Sequence, residues 1–125
     1  MKRPLLLLGL LLGLSSAVAM AQTFTPQSSA GLIVTFSAEK EGGTRVLVFG
    51  EVRNTTGQTA DRVVVLAEGL DAGGRVVSRG RGYVSGSVPS RRSSSFEIRL
   101  LSSGSEKRYR VQVESFQFVE SVQGN

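Results

Sequence analysis

The chain has 125 residues, 15 basic and 10 acidic, and a net charge of +5. It contains no Cys, no His and no Trp, which excludes disulfides, thiol redox chemistry, a lipid-modified cysteine, thiolate and imidazole metal sites and every Ser-His-Asp arrangement. One domain is the natural count at this length.

The chain opens on a short positive stretch, Met1-Lys2-Arg3, and then on an apolar run from Leu5 to Leu14 broken only by Gly9 and Gly13. Small residues follow up to Ala21. This is the layout of a cleaved secretory signal peptide. Ala19-Met20-Ala21 places Gln22 first in the mature chain and is preferred over Ala17-Val18-Ala19. The apolar run is about ten residues, short of the roughly 20 needed to span a bilayer. The expected product is exported, periplasmic or extracellular, with no membrane span after cleavage. Without Lys2 and Arg3 the mature chain keeps 13 basic and 10 acidic residues, so much of the basicity belongs to the leader. The expected organisation is a signal peptide at 1–21, a flexible entry segment at 22–31, a β-sandwich at 32–120 and a flexible tail at 121–125.

Gly31 to Ser37 is the first strand expected, followed by a Glu-Lys-Glu-Gly-Gly turn. Thr44 to Arg53 is the second, with Val46, Val48, Gly50 and Val52 on one face. Asn54-Thr55-Thr56-Gly57 is a turn. Val63-Val64-Val65 marks a third strand, because β-branched residues favour extended backbone. Leu70 to Gly74 turns the chain into a short strand from Arg75 to Ser78, and a Gly-rich fifth piece surrounds Tyr83 and Val84. Phe96, Ile98 and Leu100 alternate with Glu97 and Arg99, the period of a half-buried strand. In the last strand Tyr109, Val111 and Val113 share one phase, whereas Phe116 and Phe118 take the other. A bulge near Ser115 would return both phenylalanines to the core. A regular strand would instead project Phe116 and Phe118 outward, as a partner or self-association contact. No segment keeps a helical period, so the fold class expected is all-β, an antiparallel sandwich or barrel.

The stretch Gly50-Glu51-Val52-Arg53-Asn54-Thr55-Thr56-Gly57 is followed by Val63, Val65, Leu70-Asp71, Gly74-Arg75-Val76-Val77, Gly86, Val88-Pro89 and Phe96. This resembles the FxLYD-type immunoglobulin-like domains of bacterial envelope proteins, over about residues 44 to 113. Leu70 stands where that pattern has Tyr, and Ser90 where it has Gly. The resemblance implies an immunoglobulin-like antiparallel β-sandwich of about six to seven strands. It also implies an accessory, adhesive or assembly role without catalytic residues. The shared residues read structurally: Gly50 as a close approach, Asn54 and Asp71 as turn acceptors with Gly73 or Gly74 at positive φ, Phe96 as core.

Several motifs suggest chemistry and lack its context. Gly80-Arg81-Gly82-Tyr83-Val84-Ser85-Gly86 misses the dinucleotide spacing and precedes no helix. Ser37-Ala38-Glu39-Lys40 matches S-x-x-K without the S-D-N and K-T-G partners of penicillin-recognising enzymes. Glu97 and Glu114 read as cross-strand ion-pair partners rather than as the paired acids of a hydrolase, the remote enzymatic alternative. Asn54-Thr55-Thr56 is formally a glycosylation sequon. No catalytic, cofactor-binding or metal-binding residue is expected. The charge feature that stands out is Arg75, Arg79, Arg81, Arg91 and Arg92, with no acid between 75 and 96. As one patch these would meet an anionic polymer, an acidic lipid surface or an acidic envelope protein; export argues against nucleic acid. The function expected is therefore an exported binding or accessory domain, with an assembly subunit associating through its C-terminal strand as the alternative.

Overall fold

Valines at alternate positions make a strand with one apolar face, and Val46, Val48 and Val52 are buried as that pattern requires. The computed structural model describes residues 27–119. The expected signal peptide, the first half of the entry segment and the tail lie outside the described residues.

Among the described residues seven strands follow one another: β1 (Gln27–Ser29), β2 (Leu32–Gly42), β3 (Arg45–Asn54), β4 (Ala60–Leu70), β5 (Val76–Tyr83), β6 (Ser93–Leu101) and β7 (Arg108–Phe118). One sheet runs β1-β2-β3-β6 and the other β5-β4-β7, with antiparallel pairing throughout. Apart from the short β1, six strands lie three on three as a β-sandwich. The core between the sheets is built from Leu32, Val34, Phe36, Val48, Val65, Phe96, Ile98 and Val111 among others. Strand identity agrees with the sequence reading, with two differences. Gln27–Ser29 pair with Val34–Leu32 as β1, so the entry segment is partly strand. The fourth and fifth pieces form a single strand, β5.

Glycines set two close approaches. A Cβ on Gly50 would overlap the Thr35 carbonyl oxygen on β2. On β5, Gly80 and Gly82 lie against Leu100 and Ile98 of β6, where a Cβ would collide with their side chains. The Gly-x-Gly of the apparent phosphate loop is thus a packing device that brings the edges of the two sheets together.

The β4–β7 ladder slips twice, between Asp61 and Val64 and again between Val64 and Val65. At the second slip Val64 faces Ser115 and Val65 faces Val113, which leaves Glu114 as an extra residue on β7. Glu114 and Ser115 are consecutive exposed residues, and the side-chain phase reverses there. The bulge therefore turns Phe116 and Phe118 to the inner face, where both pack, partly buried, against the core. The outward projection that a regular strand would give these two rings does not occur.

Candidate functional site

Asn54 organises one end of the sandwich. It closes β3 and is fully buried. Its Nδ2 donates to the Gln58 carbonyl (2.7 Å) and to the Val88 carbonyl (3.0 Å). Its Oδ1 accepts from the Thr56 amide (2.9 Å) and the Thr56 hydroxyl (2.6 Å). Its own amide donates to the Arg92 carbonyl (2.8 Å). The Ser90 hydroxyl adds a bond to the Thr56 carbonyl (2.7 Å). One side chain thus ties the β3–β4 turn to the β5–β6 connection, and the buried amide serves structure rather than glycosylation.

That connection carries Arg91 and Arg92. The Arg92 amide donates to the Pro89 carbonyl, closing a four-residue turn. Arg91 sits third in it with φ of +64°, where glycine is usual. Arg62, at the first slip of β4, also has positive φ, +52°. Holding an arginine in this region costs about 1 kcal/mol.

The five arginines singled out in the sequence do not form one patch. Arg75 lies in the turn after Leu70, where Asp71 Oδ1 accepts from the Gly73 and Arg75 amides and Gly74 takes φ of +85°. Arg79 and Arg81 lie side by side along β5 on the outer face of the three-stranded sheet. Arg91 and Arg92 lie at the opposite end from Arg75. The ten-residue advance of β4 from Ala60 to Leu70 separates these ends by roughly 30 Å.

The mid-strand arginines are neutralised. Glu68 on β4 is 5% exposed, and each of its oxygens takes a two-donor fork. Arg110 binds Oε1 at 3.0 and 2.7 Å, and Arg79 binds Oε2 at 3.3 and 3.1 Å. The Arg110 fork holds the Glu68 carboxyl below its ordinary range, against a burial effect in the other direction. Arg81 grips Glu114, the bulged residue, and lowers it likewise. Arg99 pairs with Glu41 at 3.3 Å and Glu97 at 3.6 Å. Glu97 and Glu114, on β6 and β7, belong to different sheets and do not face each other.

The cations without an ion pair, among the described residues, all lie toward the two ends. Arg53, Arg62, Arg91 and Arg92 are exposed at the Asn54 end. Lys40, Arg45, Lys107 and Arg108 are exposed at the other. There, between the β2–β3 hairpin and the β6–β7 loop, a shallow cleft of about 140 Å³ is lined by Lys40, Thr44, Arg45, Ser102 and Ser103 and by no acid. Glu106 fixes its loop wall. It accepts from the Ser102 hydroxyl (2.7 Å), the Ser103 amide (2.8 Å) and the Gly104 amide (3.1 Å). Burial alone would raise the Glu106 carboxyl, but these bonds outweigh it and bring it down to about 2.

The remaining motifs dissolve in the geometry. Ser37 and Lys40 are three apart on β2, so strand alternation turns them to opposite faces. No group of three or more Asp or Glu able to hold a metal ion occurs among the described residues. No protein-family model matches the chain, and no curated protein or solved structure is detectably similar to it.

Sequence reasoning found Arg91 and Arg92 but missed Arg53 and Arg62 as their companions, and missed Lys40, Arg45, Lys107 and Arg108 at the other end. The signal available was positional: each lies within a few residues of an expected strand end, away from the mid-strand cross-strand positions at which Arg79, Arg81 and Arg110 find their acids.

Proposed function

We propose that this chain is an exported, non-catalytic binding domain of the bacterial cell envelope, immunoglobulin-like and related to the FxLYD type. It engages an anionic surface through the end of the sandwich that carries Arg91 and Arg92. The immunoglobulin-like reading is supported by strand placement. β2, β3 and β6 share a sheet as strands A, B and E do in that fold, and β4 and β7 pair as C and F do. The observation that carries the function is the sorting of charge. Mid-strand arginines are consumed by Glu68, Glu114 and Glu41, whereas Arg53, Arg62, Arg91 and Arg92 at the loop end are exposed and unpaired among the described residues, the last two on a turn pinned by Asn54. Fixed cations near an anionic bilayer contribute about 1 kcal/mol each, screened within about 8 Å in physiological salt.

The test is co-sedimentation with phosphatidylglycerol vesicles from low to high salt. Binding at low salt that falls steeply with salt is expected, and Arg91→Ala with Arg92→Ala should weaken contact at this end roughly 30-fold, read by lipid quenching of a fluorophore placed on the β3–β4 turn. No binding at low salt, or no effect of the double substitution, would overturn the reading.

A second reading, assembly through the C-terminal strand, is favoured by one observation. β7 is the edge of its sheet and has no strand paired along its outer side among the described residues. Sedimentation of the exported protein distinguishes it: a stable oligomer supports assembly and a monomer supports surface binding.

A further inference from the structure

The anionic-surface reading uses one end of the molecule, yet the unpaired cations occupy two. At the far end Lys40 and Arg45 flank the β2–β3 hairpin, and Lys107 and Arg108 start β7. The β6–β7 loop that separates the pairs is held at both ends: the Ser102 amide donates to the Thr44 carbonyl of the hairpin (2.6 Å) and the Lys107 amide to the Leu70 carbonyl at the end of β4 (2.7 Å). Glu106 locks the intervening loop, so its carboxylate is engaged inside the wall of the cleft.

The acids at this end lower its net charge without pairing with any of these four cations. Asp71 serves the turn amides beside Arg75, and Glu41 pairs with Arg99. The waist between the ends is different in character. Its four-stranded outer face carries Glu39, Glu51 and Glu97 around the half-buried Leu47 and Phe49. Its three-stranded outer face carries the neutralised Arg79, Arg81 and Arg110. Roughly 30 Å of strand separates two cationic ends, several times the screening length of about 8 Å. Each end therefore acts on its own surroundings, and a surface held by one end leaves the other facing away from it.

We infer that the domain is a two-ended tether that holds two anionic bilayer surfaces against its opposite poles, one at the Arg91–Arg92 end and one at the Lys40–Arg45 end. The inference rests on the anionic-surface reading and adds bivalency to it. Its occupant is a bilayer rich in anionic headgroups, because each pole offers several spaced point charges around at most a shallow cleft, which suits a charged plane.

The experiment separates binding from bridging. The exported protein, its N-terminus verified by intact mass, is mixed at low salt, about 0.1 M so that the screening length of about 10 Å keeps the poles independent, with phosphatidylglycerol vesicles, and with neutral phosphatidylcholine vesicles as a control. Binding is read by co-sedimentation and cross-linking by turbidity. The expected result is binding with a rise in turbidity, both reversed at about 1 M salt, where the screening length falls to about 3 Å. Lys40→Ala with Arg45→Ala should abolish turbidity while leaving the other pole bound. Arg91→Ala with Arg92→Ala should do the same from the opposite side. Lys107→Ala with Arg108→Ala gives an independent route to the far pole if the first pair fails to fold. Each double substitution should cost roughly 30-fold at its own pole. Binding without turbidity overturns the tether and leaves the single-surface reading standing. Turbidity that survives either pair of substitutions in a folded protein also overturns it, since cross-linking then comes from a dimer or from another face. No binding at low salt overturns both.

Discussion

A single buried amide carries more of this structure than its place in the sequence suggests. Asn54 satisfies two carbonyls and two Thr56 donors at once. Half of this was legible: an Asn before Thr-Thr-Gly predicts an Asx-type bond to the amide two residues on. The other half was not, because its partner Val88 is 34 residues away and no spacing rule links them. Replacing Asn54 with Ala leaves the Thr56 amide without its acceptor and takes one of two donors from each of the Val88 and Gln58 carbonyls, which keep the Ala60 amide and the Thr56 hydroxyl. The expected cost is about 2–4 kcal/mol, in the range of a broken buried network. Thermal melting should drop by about 10 °C or more for a domain of this size. A melting point within a degree or two of the parent would mean that water replaces these bonds freely and that the two loops are not locked.

At the scale of whole elements, β7 was legible in its pattern and β5 was misleading in its spacing. The phase reversal after Val113 is written in the sequence, and the structure resolves it by the Glu114 bulge. The rings of Phe116 and Phe118 meet edge to face at 5.0 Å and pack inward. Phe116→Ser with Phe118→Ser should therefore destabilise the fold. Full burial would give roughly 3–5 kcal/mol per ring, and partial burial gives about half of that. Circular dichroism melting checks this, and an unchanged melt would place the rings outside the core. The arginines between 75 and 92 mislead for the opposite reason. They are close in sequence, but β5 carries the chain nearly the length of the molecule between the first and the last of them. Composition records a basic run, whereas strand direction separates it into a turn, a neutralised face and a far end. β4 hides its nature in a similar way. Glu68 follows an apolar run that reads as one-sided, yet it is buried on the outer face, held between arginines from both neighbouring strands.

For the molecule as a whole, stability rests on carboxylates as well as on the core, since no disulfide staples it. Glu68, Glu106 and Glu114 all have carboxyls held below the ordinary range, so each binds its proton less readily folded than unfolded. The sign follows from linkage. A depressed carboxyl stabilises the fold fully above its unfolded value and loses that contribution as pH falls through its folded value. For Glu106 the window runs from its ordinary 4.5 down to about 2. Its contribution is about 1–2 kcal/mol once solvent screening near the surface is allowed for. Below this window protonation also frees the Ser103 and Gly104 amides, so the β6–β7 loop should loosen first. Urea midpoints measured from pH 6 to pH 2 should decline through roughly the acidic half of that range, as linkage requires. In Glu106→Gln the decline should be shallower and the midpoint at pH 6 lower, because a neutral amide accepts the loop amides less strongly. A Glu106→Gln curve parallel to the parent across the whole range would show that Glu106 titrates alike in both states and that the acid sensitivity lies elsewhere.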